Sequence, residues 1–495
     1  MNQSIFIGID VGTSSIKVIA VSPEGRLLST AISSMSMIVR RPGWSEQSPE
    51  DWWEGVCTGI KAVIAEIGSP EVLGVGLTGQ MHSLVALDGF DQVIRPSILW
   101  NDVRSNRESE YVREVVGDQN LRNTVGNPAL EGFTATKLLW LKNNEPDNFD
   151  RISTVLLAKD YVRYRLTGEK VVEPSDASGT LLFDVFKIQW SEKVCELLQI
   201  NKNVLPSIVE SGEIVGGITP QAAKETGLSR GVPVVAGGAD NACAATGAGA
   251  TAAGDLLLTV GTSGAVVAPT STPIVDTDMR IHLMRHCIPN TWYLMGVILS
   301  AGAALEWWRR SSGCLNFEEL VAEAMGMDPG AGGVTFLPYL TGERTPHADA
   351  NARGVFYGMH NQTSRGHMTR AVMEGVAFAL RESVDLMDEL DVGCVDAIAV
   401  GGGAKSMGWL QILSDALNIP LRTVGPGEGA PLGAAMLAAS GVGYFQSPKI
   451  AGENWLQNEL NIDPDHLICE QYDVAYMRYK KLYFALRETF VDNSD

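Results

Sequence analysis

The opening run, residues 5–10 (IFIGID), is rich in apolar and β-branched positions and stops at a glycine-containing turn. Residues 15–33 carry two more such runs, separated by a Pro-Glu-Gly turn at 23–25, a pattern that predicts an antiparallel meander of three strands. After residue 254 the grammar restarts: GDLLLTVGTSGAVVAPTSTP leads one strand into a turn and a second strand out of it. Between the two, residues 49–68 place apolar side chains at helical spacing, and residues 72–88 read as a strand ending in a turn. Further on, residues 369–390 form a long amphipathic helical pattern, and residues 395–417 read as buried strand, glycine turn and helix. A last helix is expected from about Asp473. The order of meander, helices, strands and helices thus occurs twice, with small residues at 244–254 (AATGAGATAAG) suiting a junction. Two related α/β lobes, about 1–248 and 249–495, are expected to face each other across a cleft.

Composition narrows what such a molecule can do. Apolar residues make up 45% and charged residues 19% of the 495, the balance of a folded globular chain. A formal charge of −20 opposes binding to nucleic acid or to an anionic membrane, both of which need a basic surface. The seven cysteines are scattered and lack CxxC pairs, which fits buried thiols in a reducing compartment. The N-terminus shows no basic segment followed by an apolar run, so a cytoplasmic protein is expected.

Candidate chemistry lies at the ends of predicted strands. The tetrapeptide VGTS starts at Val11 and again at Val260, about half the chain apart. A single copy reads equally as a hairpin turn in which glycine supplies a positive φ. As a pair, the turns offer amides and hydroxyls to an anion from both lobes. Asp10 precedes the first copy and Thr259 the second, which removes the paired aspartates an aspartic protease needs. It suits a nucleotide whose phosphates need a metal-side carboxylate on one side only. Asp240, in VAGGADNACAATGAG, stands at a predicted helix start, where it could cap the helix or accept a proton from a substrate hydroxyl. Gln80, Met81 and His82 follow a strand, where ligand-facing residues of an α/β sheet occur. The glycine turn at 399–406 resembles many nucleotide-binding turns. Trp52–Trp53 and Trp307–Trp308 fall in amphipathic helices and read as packing.

These residues together resemble the FGGY family of carbohydrate kinases, in the actin-like, ribonuclease-H-like ATPase clan, over essentially the whole chain. GFTATKLLWLKNN (132–144), with Lys137 and Trp140, matches one family signature, and GVFYGMHNQTSRGHMTRAVME (354–374) matches the other. GQMH (79–82), SDASGT (175–180), GGADNA (237–242) and FLPYLTGERTPH (336–347) are similar to the ketopentose-acting members, whereas glycerol kinases carry Arg-Glu in place of Met81-His82. The resemblance implies phosphorylation of a ketopentose by ATP with Mg²⁺. It implies Asp240 as general base, Asp10 as the metal-side carboxylate, and Met81, His82, Gln80 and Asn241 at the sugar. Thr13, Lys17, Gly261 and Thr262 would face the phosphates, and Gly402 and Gly403 the adenosine. A kinase for another ketose or a polyol is the competing expectation. The assembly is left open, a homodimer included.

Overall fold

The computed structural model describes residues 3–314, 316–425 and 429–490. Alternation along β1 (Ser4–Val11) sends Ile5, Ile7 and Ile9 into one core and Phe6 into another on the opposite side of the sheet. β1 pairs antiparallel with β2 (Ser15–Val21), and β2 with β3 (Leu27–Ser34), which is the expected meander. On its other side β1 runs parallel to β4 (Glu71–Gly79). The sheet is completed by β5 (Ile214–Gly217), β6 (Pro233–Val235) and β7 (Gly238–Ala239), in the order β5-β6-β4-β1-β2-β3, with β7 pairing to the end of β4.

The second sheet repeats this plan. β8 (Asp255–Val260) and β9 (Gly264–Thr270) are antiparallel, and β8 runs parallel to β12 (Asp396–Val400), which runs parallel to β13 (Leu421–Gly425). β10 (His282–Arg285), β11 (Trp292–Ile298) and β14 (Gln457–Ile462) complete the order β10-β11-β9-β8-β12-β13-β14. The third meander strand here is β11, and β10 is an added edge strand.

Helices close both faces of each sheet. α1 (Pro49–Ile67) lays Trp52, Val56, Ile60 and Val63 on the isoleucine face of β1. α2 (Thr134–Asn144) belongs to the first half of the chain and is buried along most of its length. α3 (Asp240–Ala248) leads from the first sheet toward the second. α4 (Arg365–Glu389) starts in a capping box formed by Ser364 and His367 and covers Leu256, Leu258 and Val266 on the outer face of the second sheet. α5 (Gly429–Gly441) and α3 share one core with Phe6 and Ile19 of the first sheet and with Leu257, Val267 and Ile398 of the second. α6 (His466–Leu486) begins seven residues ahead of the expected Asp473, because Asp465 caps it. Trp307 stacks on Phe336, and Trp52 is fully buried, so the tryptophan pairs do pack.

The contact between α5 and the first sheet leaves no room for side chains. A methyl on Gly8 would stand 2.0 Å from the Pro431 carbonyl oxygen, and one on Gly76 would stand 1.8 Å from that of Ala434. The cysteines are free among the described residues, and no described helix is long and apolar enough to cross a membrane. Gly76→Ala is expected to destabilise by about 3 kcal/mol or more, since backbone rather than a side chain would have to move. The exposed Gly89, with open space around it, serves as control: Gly89→Ala should leave the thermal midpoint within about 2 °C of wild type, whereas Gly76→Ala should lower it clearly or abolish soluble expression.

Candidate active site

Three strand ends meet at one point of the first sheet. Asp10 on β1 lies opposite Thr78 on β4, and Gly238 on β7 lies opposite the same Thr78 from the other side. β4 then continues into Gln80, Met81 and His82, and β7 into Asp240. The carboxyl edge of parallel strands is where α/β sheets hold ligands, and here it gathers Asp10, Asp240, Asn241, Met81 and His82. Asn241 Nδ2 lies 4.0 Å from the Met81 sulfur.

Asp240 is the first residue of α3, the capping position being Ala239. Its Oδ1 accepts from the Asn241 amide at 2.7 Å and from Asn241 Nδ2 at 2.9 Å, which orients the carboxylate and leaves Oδ2 to the cleft. Burial pushes Asp240 up to about 7, the negative charge of Asp10 adds to this, and the Asn241 hydrogen bonds pull against it. Burial also pushes Asp10 up to about 6, against the charge of Lys17, its cross-strand neighbour on β2.

Asp10 Oδ1 is enclosed and has no hydrogen-bond partner. An unpartnered buried carboxylate oxygen is costly, and a cation removes the cost. No cluster of three or more His, Cys, Asp or Glu suited to a metal exists among the described residues. One carboxylate and no cage is a donor set that fits Mg²⁺, which usually takes one or two carboxylates and completes its shell with waters and substrate phosphates.

His82 has a positive φ of 65°, a conformation retained where surrounding structure enforces it. Three groups do so: Lys137 Nζ and Thr134 Oγ1 donate to the His82 carbonyl at 3.0 and 3.1 Å, and His82 Nδ1 donates to the Gly179 carbonyl at 2.5 Å. The Phe133 ring packs 4.6 Å away. Lys137 is fully buried, and burial holds its ammonium well below the usual lysine range. Its place in the signature was visible in the sequence. Its task, holding His82, was not.

Gln80 and Thr13 are committed internally. Thr13 Oγ1 donates to Gln80 Oε1 at 3.0 Å and accepts from Trp100 Nε1 at 2.9 Å. Gln80 is 2% exposed, and its Oε1 also accepts from Ser83 Oγ. Both side chains brace the first turn against the strand that carries Met81 and His82.

On the second sheet, the Gly261–Thr262 turn follows β8, with Thr262 exposed. Its carbonyls accept the amides at the start of the next helix: Gly302 donates to Gly261 at 2.7 Å and Ala301 to Thr262 at 3.0 Å. The two VGTS turns are unequal. The first joins the pair Val11–Ile16 and the second the pair Val260–Gly264, one residue shorter. The turn at Gly401–Gly403 presses on β8, where a methyl on Gly403 would stand 2.4 Å from Val260 Cγ1. Gly402 is exposed, with open space beside its α-carbon. Gly261, Thr262, Gly402 and Gly403 therefore form one group at the end of the second sheet, separate from the carboxylates of the first.

Comparison with known proteins agrees with this geometry. Residues 5–247 match the N-terminal domain, and residues 256–442 the C-terminal domain, of the FGGY family of carbohydrate kinases. The xylulose kinase of Bacillus subtilis is 38% identical over 480 residues, 96% of each chain. The crystal structure of xylulose kinase from Rhodospirillum rubrum superposes with a TM-score of 0.91 at 30% identity, covering 98% of this chain and 99% of that one. That of gluconate kinase from Lactobacillus acidophilus superposes with a TM-score of 0.94 at 26% identity, covering 99% and 100%. With two actin-like lobes, a carboxylate pair on the first and glycine turns on the second, the chain belongs to the FGGY family of carbohydrate kinases.

Proposed function

We propose that this kinase transfers the γ-phosphoryl group of ATP to a terminal hydroxyl of D-xylulose, giving D-xylulose 5-phosphate. The observation that carries the reading is the pocket edge at Met81, His82, Asp240 and Asn241, taken with the xylulose kinase relatives aligned along nearly the full chain. The likeness to a gluconate kinase keeps a second reading, a different sugar-derived hydroxyl acceptor.

Asp240 acts as general base. Its Oδ1 stays with Asn241 while Oδ2 takes the hydroxyl proton as that oxygen attacks the γ-phosphorus in line. A carboxylate pushed up to about 7 is far more basic than an exposed aspartate and is still largely ionised in mildly alkaline solution. His82, held neutral by burial, positions the sugar through its free Nε2. Asp10 would hold Mg²⁺, which when bound neutralises charge on the phosphates. Lys17 and the two VGTS turns flank the same phosphates, and Gly402 leaves space for the adenosine. Most of the acceleration comes from positioning and charge, as in phosphoryl transfer generally.

A panel of D-xylulose, other pentuloses, glycerol and gluconate in an ADP-release assay should give D-xylulose the highest kcat/KM by about tenfold or more; a higher value for any other acceptor overturns the substrate assignment. Asp240→Ala should lower kcat by about 10²- to 10⁴-fold while sugar binding is retained, and near-native turnover in a folded variant would remove Asp240 from the base role. Because the base must be ionised, kcat/KM should rise with pH through about 7.

The same shift bears on stability with a fixed sign. A carboxylate raised in the fold stabilises it at pH below its unfolded pKa, and that contribution is lost as pH rises through the folded value. Asp240→Asn, which removes the buried charge, should therefore raise the thermal midpoint by about 2–4 °C at pH 8 and by less at pH 5.

A further inference from the structure

The last helix, α6 (His466–Leu486), has two faces, and the fold accounts for only one of them. Cys469, Tyr472, Tyr476, Tyr479 and Tyr483 are buried on one side. The rings of Tyr472, Tyr476 and Tyr479 lie 5.8, 5.7 and 5.6 Å from that of Phe378 on α4, and the Tyr476 hydroxyl donates to Asp385 at 2.6 Å. On the other side Leu467, Val474, Met477 and Phe484 stand 73, 72, 53 and 57% exposed. Single apolar side chains at a surface are ordinary, but large ones this open and aligned along one helix mark a contact surface.

Glu470 and Lys481 complete the row. Positions 467, 470, 474, 477, 481 and 484 follow one another in steps of three and four, the spacing of the seam in a two-helix coiled coil. At about 3.6 residues per turn this seam runs along the side of α6 opposite the tyrosines. Glu470 and Lys481 are both exposed. The neighbouring charges are taken up within the chain, Asp473 by Arg381 at 2.6 Å and Lys480 by Asp385 at 3.5 Å.

The seam is symmetric about the midpoint between Ala475 and Tyr476. Leu467 lies as far before that point as Phe484 lies after it, and the same holds for Glu470 with Lys481 and for Val474 with Met477. A second copy of α6, laid antiparallel across a twofold axis at that point, therefore sets Leu467 of one copy on Phe484 of the other, Val474 on Met477, and Glu470 on Lys481, each contact being made twice. A parallel pair would instead set Glu470 on Glu470 and Lys481 on Lys481, which like charge opposes. An anionic membrane is a poor occupant for a chain with a formal charge of −20. From this self-complementarity we propose that the outer face of α6 is a homodimer interface, in which two copies of this chain pair antiparallel through Leu467, Glu470, Val474, Met477, Lys481 and Phe484.

Sedimentation velocity of the full chain between about 1 and 100 μM tests this. One helix pair is a small interface, so a dimer with a Kd of about 10 μM is expected, and a monomer throughout that range overturns the proposal. Val474→Glu, at the centre of the seam, should raise Kd by about tenfold or more while kcat stays within about twofold of wild type, since α6 carries none of the candidate site residues. Glu470→Lys and Lys481→Glu should each weaken the dimer by about tenfold, because each sets like charges opposite one another twice per dimer. The double variant restores opposite charges in exchanged order, and its Kd should return to within about threefold of wild type. A dimer that keeps its Kd in Val474→Glu is built on another face and overturns the proposal. A dimer weakened by both single charge changes but not recovered in the double variant overturns the antiparallel pairing. Should Val474→Glu fail to fold, the two exposed charge positions decide: a wild-type Kd in Glu470→Lys and in Lys481→Glu overturns the proposal.

Discussion

The backbone of α3 lies directly against that of α5. A methyl on Gly433 would stand 2.0 Å from the Cys243 carbonyl oxygen, and one on Gly247 would stand 2.1 Å from that of Gly429. α5 meets β1 and β4 just as closely, at Gly8 and Gly76. Asp240 is the first residue of α3, and Asp10 is the last residue but one of the strand that carries Gly8. The separation of the two carboxylates is therefore set through backbone contacts, which neither rotamer changes nor ordinary repacking can adjust. Both sheets bury their facing sides on this helix pair, so one core fixes the lobes and the spacing of the two carboxylates together.

Holding two carboxylates at that spacing is a cost the core has to offset. Both titrate upward because burial disfavours their charge, and Asp240 rises further because Asp10 is close. His82 is held by a buried lysine, a threonine and a glycine carbonyl in a backbone conformation that few non-glycine residues adopt. Backbone strain at His82 and buried charge at Asp10 and Asp240 thus meet at one edge of the first sheet.

Much of this was legible in the sequence, for identifiable reasons. The first meander, α1 and α4 announce themselves because each has one buried face and a clear period. Asp240 and the QMH run were visible because strand ends are where chemistry is sought. α5 was not predicted as a separate element: GAPLGAAMLAASG is small and apolar on all sides, so it has no amphipathic period, and its helix is explained only by burial between two sheets. The identical VGTS tetrapeptides concealed turns of different length, because pairing register depends on strand partners rather than on the turn residues. Thr13 showed a hydroxyl suited to phosphate, but Trp100 and Gln80, both far along the chain, occupy it. His282 carried no local signal, since its surroundings come from the packing of a loop of one half of the chain on a strand of the other.

That packing also constrains how the cleft can open. Asn127 and Ser178 belong to the first half of the chain, yet both bond β10 of the second sheet: Asn127 through His282 and Leu283, and Ser178 by accepting the Arg285 amide at 3.0 Å. All of these groups are buried, and pulling them apart without water entering would leave donors and acceptors unpaired at a cost of about 1–3 kcal/mol each. The glycine turns of the second sheet have no such tie to the first-sheet carboxylates among the described residues. Separation of the lobes is therefore cheapest at the glycine turns and dearest at β10. A pivot near β10 would keep these buried bonds intact while the glycine turns of the second sheet move relative to the carboxylates of the first.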